Sequence, residues 1–130
     1  MTESSEKKST GARMKMQARL MLDDEIAFGP GKADLLLAIQ TTGSISAAGK
    51  HLGMSYRRAW LLVDAMNRCF QKPLVETATG GTQGGGTRLT PLGVDVLERY
   101  QQLQDDIRAL GEKHFSDFKP LLRKKPLPPA

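Results

Sequence analysis

Apolar residues occupy every second position between 14 and 22, at Met14, Met16, Ala18, Leu20 and Leu22, and this period of two predicts a strand with one buried face. Asp23-Asp24-Glu25 reads as a turn, and Ile26-Ala27-Phe28 as a short returning strand. After Gly29-Pro30-Gly31 the period changes. Leu35, Leu36 and Ile39 share one helical face, predicting a helix over about 32–41 that packs behind the segment that follows. That segment, residues 44–60, reads as a short helix, a tight turn at Gly53 and a second helix beginning at Tyr56-Arg57-Arg58. Two helices that cross steeply need small residues where their backbones approach, and Ala48 and Gly49 supply them. Ser55 stands where a side-chain oxygen caps the second helix. Ala59, Leu62, Val63, Met66 and Phe70 make its apolar stripe, opposite Arg57, Arg58, Leu61, Asp64 and Arg68.

Beyond Phe70, Leu74-Val75-Glu76-Thr77 and Thr87-Arg88-Leu89-Thr90 alternate like two strands, joined by a glycine-rich loop carrying Thr82 and Gln83. Thr90 then caps, and Pro91 begins, a long last helix over about 91–118. Leu92, Val96, Tyr100, Leu103, Ile107 and Leu110 advance along it by threes and fours, a near-heptad seam. Such a seam pairs with the same helix of a second chain, or folds back onto its own domain.

Charge sharpens this picture. The net charge is +5. Residues 43–70 hold four basic residues against one acidic, whereas residues 91–118 hold three against six. A basic helix-turn-helix beside an acidic helix attracts a polyanion to one face and repels it from another. A recognition helix reads base edges with its N-terminal residues, here Ser55, Tyr56, Arg57 and Arg58. Either arginine can grip guanine or hold a phosphate. A helical hairpin buried in a core, with arginines on a solvated face, is the bland alternative.

Other chemistries lack their residues. The glycine loop has no lysine to serve as a P-loop, and it leads into a strand rather than a helix. His51 and His114 have no partner at metal-ligand spacing, Asp105-Asp106 reads as a solvated pair, and Cys69 reads as packing. No metal, cofactor or enzymatic activity is expected. No stretch approaches the ~18 apolar residues of a membrane span, and no apolar signal core opens the chain, so a cytoplasmic location is expected.

Several ordered motifs carry a resemblance. Thr42-Gly43-Ser44-Ile45-Ser46-Ala47-Ala48, Met54-Ser55-Tyr56-Arg57-Arg58-Ala59-Trp60, Met66-Asn67, Pro73-Leu74-Val75-Glu76, the glycine loop and Leu89-Thr90-Pro91-Leu92-Gly93 together resemble the N-terminal DNA-binding domain of the ModE family of molybdate-responsive regulators. The resemblance implies a mainly α fold with a small β wing: a winged helix-turn-helix with N-terminal strands and a long C-terminal dimerisation helix. It implies a homodimer on a pseudo-palindromic operator of double-stranded DNA, near genes of molybdenum transport or use. Ser44 and Ser46 would meet phosphates, and Ser55, Tyr56, Arg57 and Arg58 would enter the major groove. Trp60 would brace the recognition helix or reach the backbone. Lys50 and Arg88 are further candidates for backbone contacts, and Thr82 and Gln83 for the wing tip.

The expected organisation is a disordered segment at 1–12, one winged helix-turn-helix domain at 13–118, and a basic, proline-rich tail at 119–130. Family members carry C-terminal molybdate-binding domains. Nothing after Phe118 could build that site, so direct molybdate sensing is not expected. An alternative is an interaction module forming mixed dimers with a longer ModE-like regulator.

Overall fold

Phe28 has no exposed surface, and the way other elements reach it explains most of the architecture. The computed structural model describes residues 11–78 and 86–130. Its elements are β1 (Leu20–Leu22), β2 (Glu25–Phe28), α1 (Pro30–Thr42), α2 (Ile45–His51), α3 (Tyr56–Cys69), β3 (Val75–Ala78), β4 (Gly86–Leu89) and α4 (Pro91–Phe118), followed by a 3-10 turn at Lys119–Leu121. The described residues divide into two compact units, Gln17–Asp105 and a second that joins the segment ending at Met16 to Asp106–Ala130.

In the larger unit the core forms where the helical stripes converge. Leu35, Leu36 and Ile39 of α1, Met66 of α3 and Leu74 before β3 are fully buried around Phe28. The Phe28 ring meets Phe70 edge-on at 6.2 Å and Tyr100 at 5.1 Å, so β2, the end of α3 and α4 share one aromatic contact. The fold is a winged helix-turn-helix: α1–α3 pack together, and β3 and β4 form an antiparallel wing with Glu76 opposite Arg88.

Two expectations about apolar periodicity are corrected. The strand expected over residues 14–22 shortens to Leu20–Leu22, and all three of its residues are exposed. Its approach segment satisfies its backbone elsewhere. Ala18 donates its N–H to Gln104 Oε1 at 2.9 Å and accepts from the Tyr100 hydroxyl at 2.8 Å, so side chains of α4 replace a ladder partner. Met14 and Met16, in the smaller unit, lie instead against Gly111 of α4.

The expected seam on α4 also divides. Val96 and Tyr100 are buried in the domain's own core and Leu92 packs against it, because Phe28 presents a ring that Tyr100 covers. Val96 and Tyr100 are therefore turned to their own core, while Leu92 is half-buried. Leu103 and Leu110 remain exposed at 38% and 54%, and Ile107 is half-buried.

The turn from β4 into α4 depends on Thr90 and Gly93. Thr90 Oγ1 donates to the Pro73 carbonyl at 2.7 Å and accepts from Gly93 N at 3.0 Å, capping α4 while tying it to the entry of β3. Gly93 faces the Leu74 carbonyl so closely that a methyl there would collide with backbone. Gly93→Ala is expected to destabilise the fold by about 1–3 kcal/mol through overpacking. Gly31→Ala, at a helical position with open space around it, should stabilise by about 0.5–1 kcal/mol. Urea unfolding of both variants checks the pair of opposite signs.

Candidate nucleic-acid interface

The candidate site begins with the junction of α2 and α3. Gly53 adopts φ 73°, a left-handed conformation that glycine enters without penalty, and reverses the chain after α2. Met54 N returns to the Gly49 carbonyl at 2.9 Å and closes the turn. Ala48 and Ala59 are completely buried where the two helices meet. Ser44 and Ser55 cap the two helices, their hydroxyls accepting from Ala47 N at 3.0 Å and Arg58 N at 3.1 Å.

This packing decides what α3 shows to solvent. Ala59, Val63 and Met66 face the core, leaving Tyr56, Arg57, Arg58, Trp60 and Leu61 outward. Tyr56 is 58% exposed and Trp60 is 47% exposed. Neither the Arg57 nor the Arg58 guanidinium forms a hydrogen bond or ion pair with the described residues.

Other arginines are engaged. Arg68, at the far end of α3, binds Asp64 at 2.9 Å and holds both carboxylate oxygens of Glu25 at 2.9 and 3.2 Å. The hydrogen bond from Arg68 holds the Glu25 carboxyl below the ordinary carboxylate range, and that same bond to Glu25, then the one to Asp64, raises the guanidinium further. Positive charge on α3 is thereby concentrated at its N-terminal turn.

The remaining predicted residues are scattered by degree. Ser46 and Lys50 are exposed on α2, while Ser44 is half-buried and already uses its oxygen as a cap. Arg88 is exposed, but its guanidinium pairs with Glu76 across the wing at 2.8 Å, so a phosphate would have to compete for it. Thr82 and Gln83 lie outside the described residues. Between α3 and the wing runs a groove of about 970 Å³ whose walls include Trp60, Val63, Asn67, Val75, Thr77 and Leu92.

Lys32 is not singled out by the sequence pattern. This residue is only 8% exposed on α1, and burial holds its ammonium below the usual lysine range. Its spacing with Leu35, Leu36 and Ile39 on one helical face was the available signal. Asn67 was noticed only within a motif, although its amide joins α3 to the wing by three hydrogen bonds. Among the described residues no cluster of His, Cys, Asp and Glu is arranged to hold a metal.

Residues 32–94, from α1 to the start of α4, match the model of the bacterial regulatory helix-turn-helix protein, lysR family. Over those residues the chain is similar to a LysR-type helix-turn-helix domain. The chain is similar to the "Transcriptional regulator ModE" of Yersinia pestis, with 42% identity over 106 residues, covering 82% of the chain and 36% of the relative. It is similar also to the "DNA-binding transcriptional dual regulator ModE" of Escherichia coli K12, 38% identical over 102 residues, with 78% and 35% covered. The "Molybdenum transport protein ModE" of Herbaspirillum seropedicae is 47% identical over 70 residues, with 54% and 26% covered. The chain thus spans about a third of the length of the first two of these curated relatives. Among solved structures, the CbnR_DBD–DNA complex aligns with 67% of this chain and 94% of its own, at a TM-score of 0.52 and 20% identity. That likeness shows the fold of the helix-turn-helix domain.

The cap at Ser55 orders the turn that carries both free arginines. Ser55→Ala is expected to lower stability by about 1 kcal/mol, and Ser55→Asp, which retains an accepting oxygen, to restore most of it. Equal urea midpoints for Ser55→Ala and the wild type would mean that the cap contributes nothing.

Proposed function

We propose that the chain is a transcriptional regulator that binds double-stranded DNA with the N-terminal turn of α3 in the major groove. One observation supports this reading above the rest: among the described residues Arg57 and Arg58 have no hydrogen-bond or ion-pair partner, and they stand exposed beside Tyr56 on a helix whose opposite face is buried. Arginines left without protein partners in a basic segment keep their donors for guanine edges or phosphates. Lys50, Ser46 and the hydroxyl proton of Ser44 would serve adjacent phosphates, and Trp60 would lie along the sugar-phosphate strand.

The regulator is proposed to act as a homodimer on a pseudo-palindromic operator. The remainder of the α4 seam, exposed Leu103 and Leu110 with half-buried Ile107, would supply the apolar surface for pairing. Two recognition helices would then enter successive major grooves one helical turn, about 34–36 Å, apart. The regulated genes are proposed to serve molybdenum transport or use, a reading supported by the name of one relative, "Molybdenum transport protein ModE". A cytoplasmic location fits a DNA-binding role, and among the described residues no helix is long and apolar enough to cross a membrane.

Gel-shift titration on matched and scrambled operators tests the reading. Arg57→Ala or Arg58→Ala is expected to cost about 1–3 kcal/mol on the matched operator, with relaxed preference at one base, if the arginine reads guanine. A phosphate contact would instead weaken matched and scrambled sites alike and lower the salt slope by about 1. Unchanged binding by both variants would refute the placement of α3.

A further inference from the structure

A two-stranded hairpin has little stability of its own in water, so the wing must take its orientation from what holds its base. Three attachments do so among the described residues. Thr87 N donates to the Gly43 carbonyl at 2.9 Å, tying β4 to the turn between α1 and α2. Thr90 ties the end of β4 to the Pro73 and Leu74 carbonyls. The third attachment comes from the recognition helix itself.

Asn67 Oδ1 accepts from Leu74 N at 2.8 Å and from Val75 N at 3.2 Å, while its Nδ2 donates to the Val75 carbonyl at 3.1 Å. One side-chain amide therefore pairs with both the N–H and the C=O of a single strand residue, as a neighbouring strand would. It does so on the edge of β3 away from β4. No other side chain of α3 hydrogen-bonds to the wing among the described residues.

We infer that Asn67 is a positioning residue: its three hydrogen bonds lock the wing to the recognition helix, so that helix contacts and wing contacts reach DNA as one rigid unit. The inference rests on the reading of α3 and the wing as DNA-binding surfaces. The lever arm makes the lock matter. Ala78 lies three residues beyond Val75, about 10 Å at strand rise, so a tilt of about 15° at the base shifts that point by about 2–3 Å. A shift of that size separates a hydrogen-bonded phosphate from a missed one. Nearer the base, Val75 and Leu74 are buried, which lets the wing stay attached when its angle is lost.

The test compares Asn67→Ala and Asn67→Asp in the full chain, after circular dichroism and thermal unfolding establish that each is folded. Asn67→Asp keeps both accepted hydrogen bonds but sets a carboxylate oxygen against the Val75 carbonyl where the donor stood, so it breaks the lock at that contact and carries the same test if Asn67→Ala does not fold. Each is combined with the double wing-tip change Thr82→Ala/Gln83→Ala, and operator affinity and hydroxyl-radical footprints are read. The expected result is a loss of about tenfold or more in affinity for Asn67→Ala and a smaller loss for Asn67→Asp. Protection at the outer flank should fade while base preference under α3 is kept. The wing-tip change should weaken the wild type yet add little to Asn67→Ala.

A folded variant that binds within twofold of wild type with its flank protection intact would overturn the proposal. So would a wing-tip change that costs Asn67→Ala as much as it costs wild type, or that costs wild type nothing. A merely structural role would lower the melting temperature and reduce affinity for every site without this non-additivity. Failure of the wild type to prefer any sequence sinks the DNA reading itself, and the proposal with it, which is a separate outcome.

Discussion

The contact between α2 and α3 is the constraint on which the rest of the molecule depends. Ala48 and Ala59 have no exposed surface, and a methyl on Gly49 would come within 3.2 Å of the Ala59 side chain. Helices this close have one relative orientation, because protein interiors are packed too densely to let them slide. With Ala59, Val63 and Met66 turned inward, helical periodicity puts Tyr56, Arg57, Trp60 and Leu61 outward. The exposed end of α3 is therefore a consequence of buried small residues several ångströms away.

Electrostatics refines what packing sets up. Arg68, Arg88 and Arg99 each have a carboxylate within 2.9 Å, while Arg57 and Arg58 have none among the described residues. Exposed pairs of this kind add little stability, so their effect lies more in where charge remains than in how tightly the fold holds. Cancellation at Arg68 leaves the positive potential of α3 at its first turn. The wing is neutralised in its described part, with Arg88 spent on Glu76, so its approach to a polyanion rests more on orientation than on charge.

Legibility in the sequence followed the range of the interaction. Ser55, Gly53 and the Thr90-Pro91 pair announce caps and turns because their partners lie within a few residues, and the structure has each hydrogen bond or backbone angle where local rules place it. The period of two over residues 14–22 misled because it describes side chains only. The backbone of Ala18 is claimed by Tyr100 and Gln104, more than eighty residues away, and no local pattern contains that fact. The α4 seam misled in the same way. Its spacing is correct for a coiled coil, yet Phe28 arrives from β2 to bury Tyr100. In the candidate site the free arginines were legible and their neighbours less so. Arg88 is held by Glu76 through the wing register, and Asn67 reaches the wing across a turn whose geometry is tertiary.

Selection of bound fragments from genomic DNA at physiological salt tests the central claim most directly, because non-specific phosphate binding fades as salt rises whereas base contacts persist. The expected result is enrichment of a pseudo-palindrome whose half-sites lie one helical turn apart, with the information concentrated in the two major-groove blocks that α3 would occupy. Recovery of fragments without a shared sequence, or of a motif unaffected by replacing both Arg57 and Arg58, would contradict it.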